Sequence, residues 1–147
     1  MDDTKAPPAK WPLNVLLVED EQVNRMLLAN ILSRLVTTIR QAGDGVEALL
    51  LIEEEVPDVL ITDLSMPRLD GLGLLQALHA KNCHPKTIIL TAHNQTRELE
   101  SVGAPEAPRV LFKPLRFGLL SEALEQIAGE LGKTRLNERN EAGPPGP

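Results

Sequence analysis

The chain has 147 residues, 42% apolar and 24% charged, with a formal charge of −6. That composition gives one soluble domain with a self-supporting core, and without a Lys/Arg-dense stretch it excludes nonspecific nucleic-acid binding by this chain alone. A single cysteine, Cys83, excludes an internal disulfide and a cysteine-pair zinc cage, and no apolar run is long enough for a membrane span or a signal core, so no membrane contact and a cytoplasmic location are expected.

Residues 1–12 are charged and proline-bearing and read as a disordered lead-in, with Trp11 as an apolar lid at the start of the first strand. Leu13 to Val18 is continuous and mostly apolar, as in a strand covered on both faces, and stops at Glu19-Asp20. Val23, Leu27, Ile31 and Leu35 then recur near helical spacing beside Leu28 and Leu32. Thr37 to Arg40 is a short β-branched strand, Gly43-Asp44-Gly45 a turn, and Val46 to Ile52 a second helix. Val59-Leu60-Ile61 predicts a third strand that ends in Asp63, and a third helix runs to about His79. Asp70 is expected to cap that helix and Gly71 to allow its tight start. Lys81 to Lys86 reads as a loop, which makes Cys83 a free thiol, and His79, His84 and His93 read as surface or core residues.

Thr87 to Thr91 predicts strand four, followed by a weak helix over 95–102 and a breaker-rich loop over 103–108. Arg109 to Phe112 predicts strand five, ending at Lys113-Pro114, and the last helix carries Leu120, Leu124, Ile127 and Leu131 on one face. Residues 132–147 are polar and close in Gly and Pro, reading as tail or linker, which leaves 13–131 as the folded domain. Five strands alternating with five helices imply right-handed βαβ units and a doubly wound parallel α/β sheet.

In such a sheet the carboxyl ends of all strands share one edge, where ligands bind. Four strands end there in polar residues: Glu19-Asp20, Asp63, Thr91 and Lys113. Two like charges ~5 Å apart at an effective dielectric of ~20 repel by roughly 3 kcal/mol, and three carboxylates make three such pairs. One ammonium cannot offset that, so the cluster calls for a divalent cation or for protons. All-oxygen ligands favour a hard ion, and Mg²⁺ is the natural candidate. A carboxylate beside Mg²⁺ with a hydroxyl and an ammonium opposite suits phosphoryl transfer, with Asp63 attacking and an aspartyl phosphate as product.

Glu19-Asp20, Asp63 with Met66-Pro67 and Asp70-Gly71, Thr91-Ala92 and Lys113-Pro114 stand in an order that resembles the receiver domain of bacterial response regulators. Ala42-Gly43-Asp44 followed by Gly45-Val46-Glu47-Ala48-Leu49 is similar to a further stretch of that family, and the resemblance covers Leu13 to about Leu131. It implies a flavodoxin-like (CheY-like) sheet of order 2-1-3-4-5. It also implies Asp63 as acceptor of a phosphoryl group from a phosphohistidine of a sensor histidine kinase or a histidine phosphotransfer protein. Mg²⁺ would be held by Asp20, Asp63 and the backbone carbonyl of Ser65, with Glu19 acting through water. Thr91 and Lys113 would bind phosphoryl oxygens, and the Lys113-Pro114 bond would be cis. Ser65 and His93, each two residues past a site residue, would tune the lifetime of the phosphoryl group. Beyond slow self-dephosphorylation the chain would not be an enzyme. Phosphorylation would switch contact with a downstream effector, or pair two copies, through the face built by the fourth helix, fifth strand and last helix.

The aromatic that receivers carry three residues before the lysine is Val110 here; Phe112, on the same strand face, reads as a buried core phenylalanine. A haloacid-dehalogenase-type phosphatase would also form an aspartyl phosphate, but it needs a second acid where Ser65 stands and a cap domain that does not fit in this length. A flavodoxin-like flavin binder would need a Ser/Thr/Gly-rich first loop, where Glu19-Asp20 stands, and more aromatics than two Phe and one Trp. The intact residue set argues against a binding scaffold without phosphorylation. Trp11 precedes the first strand, and six residues at roughly 3.3 Å each put it about 20 Å from the acidic edge. Its fluorescence is expected to change little on addition of Mg²⁺; strong quenching would show Trp11 folded back over the site.

Overall fold

Short runs of aliphatic residues bounded by polar ends make the strands, and the helices described after the first three strands return the chain to the same edge. The computed structural model describes residues 9–64, 66, 68–91 and 108–135. In order these form β1 (Trp11–Val18), α1 (Gln22–Leu32), β2 (Val36–Ala42), α2 (Gly45–Glu54), β3 (Val59–Asp63), α3 (Gly71–Ala80), β4 (Lys86–Thr91), β5 (Arg109–Phe112) and α4 (Phe117–Glu130). All strand pairs are parallel, and the sheet order is β2-β1-β3-β4-β5. The described residues hold four helices rather than the five expected; the helix expected over 95–102 and the loop over 103–107 lie outside them.

The pleat divides the core into two layers. Leu13, Val15 and Leu17 of β1, with Val59 and Ile61 of β3 and Ile88 and Leu90 of β4, pack toward α1 and α4. Leu16, Val18, Leu60 and Ile89 point the other way, into Ala48 and Ile52 of α2 and Leu74, Leu75 and Leu78 of α3. Alternate residues thus serve opposite faces, as a period of two requires. Each fully buried leucine contributes roughly 1.5–3 kcal/mol relative to exposure. β3 is buried along its whole length, while β2 and β5, at the sheet edges, are only partly covered.

Several elements differ from the sequence expectation. β1 starts at Trp11, not Leu13: the Trp11 amide donates to Leu35 O at 2.8 Å, and Pro12 is tolerated because it falls where the β1–β2 register shifts, between Trp11 and Asn14. Of the expected α1 face, Val23 and Leu27 are 63% and 58% exposed, whereas Ile31 and Leu35, with Leu28 and Leu32 beside them, pack inward. A row of residues four apart advances about 40° per step on a helix of 3.6 residues per turn. Its first members therefore rotate away from the sheet that its last members touch. Phe112 is half-buried rather than a core residue, because it closes the edge strand β5. Leu120, Leu124 and Ile127 of α4 are buried as expected, whereas Leu131 just beyond the helix is exposed.

The amino-terminal rim is held by charge and stacking. Glu130 near the end of α4 pairs with Lys86 at 3.3 Å and with Arg109, joining the starts of β4 and β5. After α4, Gly132 takes a positive φ of 72°, Lys133 N–H donates to Ala128 O at 2.8 Å, and the Arg135 guanidinium lies 4.9 Å from the Trp11 ring centroid. Residues 133–135, read from sequence as tail, are thus tied to the start of β1.

Hydrogen bonds from Arg109 and Lys86 hold the Glu130 carboxyl below its ordinary value of 4.5. A depressed folded pKa gives stability that is present above the unfolded value and lost as pH falls through the folded one. Wild type is expected to melt slightly above Glu130→Gln at pH 7, with the gap closing below about pH 4.5. Thermal midpoints between pH 7 and 3 test this, and a gap unchanged over that range would deny the pairing a role.

Candidate functional site

Each residue of the site stands where a strand runs out. β1 delivers Glu19 and Asp20, β3 ends in Asp63, β4 in Thr91, and β5 leads to Lys113. One carboxylate oxygen from each of Glu19, Asp20 and Asp63 lies within 4.8 Å of the others. Glu19 and Asp63 are buried, at 3% and 7% exposure, whereas Asp20 faces solvent. The Lys113 ammonium donates to Asp63 Oδ2 at 2.7 Å across 50 residues of sequence. Thr91 is buried, and its carbonyl accepts from the Lys113 amide at 2.9 Å, so the ends of β4 and β5 stay paired up to the site. The Lys113-Pro114 peptide is cis, as expected.

The acidic loop is built to be tight. Glu19 N–H donates to Ala42 O at 3.1 Å, and the Glu19 side chain accepts from the Glu21 amide at 3.0 Å. Arg25 of α1 reaches back to Glu19 O at 2.7 Å. On the β3 side, Asp70 caps α3 by accepting from Gly73 N–H at 2.8 Å. Gly71 lies so close to Asp63 that a Cβ there would land on the Asp63 carbonyl oxygen, which is why the chain needs glycine at that turn. Met66 packs against the α2–α3 layer.

Electrostatics follow from this crowding. Burial pushes the Glu19 carboxyl above its ordinary value, and the charges of Asp63 and Asp20 push the same way against the Glu21 amide and Lys113. Burial alone would lower Lys113, but its hydrogen bond to Asp63 and the charges of Asp63, Glu19 and Asp20 outweigh that and hold the ammonium above its ordinary value. Two carboxylates this close repel by about 3 kcal/mol at an effective dielectric of ~20, and Lys113 bonds only one of them. The donor set is all oxygen, three carboxylates without imidazole or thiolate, which fits a hard divalent cation.

Of the residues expected from sequence, Glu19, Asp20, Asp63 and Lys113 are brought together, and Thr91 stands at the next strand end. Ser65 and His93 lie outside the described residues. His79 and His84 are exposed with ring centroids 5.5 Å apart, around the loop that precedes β4, on the opposite rim. Sequence reasoning missed Arg25 and Arg68, whose guanidiniums brace the loops of the site. Neither breaks a hydrophobic pattern, so neither leaves a sequence signal.

The sequence model of the response regulator receiver domain matches residues 15–125. The chain belongs to that family. This receiver is 36% identical over 122 residues to protein-glutamate methylesterase/protein-glutamine glutaminase 5 of Myxococcus xanthus, an alignment that spans 82% of this chain and 35% of that protein. It is 33% identical over 122 residues to a probable chemotaxis protein CheY of Rhizobium etli, spanning 81% of this chain and 95% of that one. Among solved structures, the N-terminal domain of an uncharacterized protein from Wolinella succinogenes superposes with a TM-score of 0.73 at 33% identity, over 80% of this chain and 95% of that one. The receiver thus matches nearly all of the CheY relative and about a third of the methylesterase. No helix among the described residues is long and apolar enough to cross a membrane.

The raised Glu19 pKa makes the metal-free site a cost at neutral pH. A folded pKa above the unfolded value gives stability that is full below the unfolded value and lost as pH rises through the folded one. In chelator-treated protein, Glu19→Gln is expected to raise the thermal midpoint at pH 7, with the gain fading toward pH 4. A gain equal at both pH values would assign it to packing instead.

Proposed function

We propose that this receiver takes a phosphoryl group from a phosphohistidine onto Asp63, with Mg²⁺ held by Asp20 and Asp63 directly, by the Ser65 carbonyl, and by Glu19 through water. The observation that carries the reading is the 2.7 Å bond from Lys113 to Asp63 beside the three-carboxylate cluster. The Asp63 carboxylate attacks phosphorus; an O–P bond forms as the P–N bond breaks, and the electron pair leaves on the imidazole nitrogen of the donor. Lys113, kept protonated by its acidic neighbours, releases Asp63 and meets a phosphoryl oxygen, and the Thr91 hydroxyl donates to another. Bound Mg²⁺ supplies positive charge to the oxygens of the group in transfer.

The donor is a sensor histidine kinase or a histidine phosphotransfer protein. Val23, Met26 and Leu27 expose an apolar stripe on α1, which begins two residues after Asp20, and this gives such a donor a surface beside the acceptor. Phosphorylation then alters contact with a downstream effector or a second copy in the cytoplasm, and slow self-dephosphorylation ends the signal. Val110 packs into the α2–α3 layer where other receivers carry an aromatic, so the output does not run through an aromatic at that position.

Incubation with Mg²⁺ and acetyl phosphate is expected to give a single phosphoryl adduct by intact mass, absent in Asp63→Asn and absent with chelator. Lys113→Ala and Thr91→Ala are expected to slow adduct formation, Lys113→Ala by on the order of 10²-fold. An adduct that persists in Asp63→Asn, or repeated turnover of phosphate monoesters, would remove the proposal.

A further inference from the structure

The loop between β3 and α3 contains a residue in an unfavourable conformation with an unusual set of partners. Arg68 has a φ of 65°, a left-handed backbone that side chains other than glycine, asparagine and aspartate rarely adopt. Such a conformation persists only where surrounding contacts over-determine it. The contacts come from the turn before α2. The Arg68 guanidinium pairs with the Asp44 carboxylate, and the carbonyl of Leu69 accepts from the Gly45 amide at 3.0 Å. Gly45 is the residue that permits this approach, since a Cβ there would land on the Leu69 carbonyl.

Asp44 is used twice. One oxygen caps α2 by accepting from Glu47 N–H at 2.8 Å; the other pairs with Arg68. Asp44 is buried while the Arg68 side chain is 70% exposed, so the carboxylate needs the partner more than the guanidinium does. The loop leads from this anchor directly to the acceptor: Gly71 N–H donates to Leu64 O at 2.9 Å, and the backbone of Gly71 lies against Asp63.

We infer that Arg68 is a positioning residue for Asp63: by pinning the β3–α3 loop to the turn before α2, the Arg68–Asp44 pair fixes the backbone that presents the Asp63 carboxylate to Lys113 and to the cation. The inference rests on the reading of Asp63 as phosphoacceptor. It assigns a role to a side chain that touches neither phosphorus nor metal, and it ties the β2–α2 turn, which holds no site residue, to the chemistry.

The test uses Arg68→Gln, Asp44→Asn, which keeps an oxygen to cap α2, the double variant, and Arg68→Lys. Two quantities are measured: Mg²⁺ affinity by calorimetry on the unphosphorylated protein, and the rate of adduct formation from acetyl phosphate. Each single variant is expected to weaken Mg²⁺ binding and slow phosphorylation by about threefold or more, and the double variant to be no worse than either single one. Arg68→Lys is expected to recover part of both losses. Values for Arg68→Gln close to wild type, or losses that add in the double variant, overturn the inference. Wild type taking no phosphoryl group would sink the Asp63 reading instead. The Mg²⁺ titrations then decide the tether alone: coupled losses support it, and equal affinities overturn it.

Discussion

Negative charge gathered at the mouth of a parallel sheet is the constraint on which this receiver depends. Three carboxylate oxygens within 4.8 Å of one another, two of them on buried residues, are costly for an unliganded fold. The hydrophobic layers above and below the sheet provide the stability that tolerates them, and Lys113 bonds one of the two buried carboxylates, Asp63. A site strained in this way is also responsive. Anything that brings positive charge to it, or that changes the charge on Asp63, alters the balance for every group around it.

Holding such a cluster requires backbone that does not yield. The acidic loop after β1 is tied to the end of β2 and to Arg25; the loop after β3 is tied to the turn before α2 and to the glycine that opens α3. Three consecutive loops of the rim are therefore braced against one another, two of them through side chains of opposite charge that do no chemistry. The glycines at 45 and 71 let two backbone segments pass closer than any side chain would allow. Rigidity of this edge comes from backbone packing as much as from the carboxylates.

The sequence was informative where one physical rule dominated. Buried strands must be apolar and must stop at polar residues, so the ends at Glu19-Asp20, Asp63, Thr91 and Lys113 could be read directly, and parallel topology did the rest. The cap at Asp70 and the close turn at Gly71 were legible for the same reason. Where several rules competed, the reading slipped. α1 is apolar on most sides, so spacing alone did not reveal that Val23 and Leu27 face outward. Pro12 argued against a strand that nonetheless begins one residue earlier. Arg68 had no pattern to break; only the backbone angle and its partner distinguish it from any other charged loop residue.

The stacking of Arg135 on Trp11 bears on how this domain can be connected to others. It brings the strand that opens the fold and the segment that follows its last helix to the same pole, with the full length of the sheet between them and the phosphoryl chemistry. A fluorophore or a fused domain attached at either side of that pole would leave the acidic mouth open to a docking protein. The stack also sets the one tryptophan of the sequence beneath a cation at that pole, away from the acidic mouth.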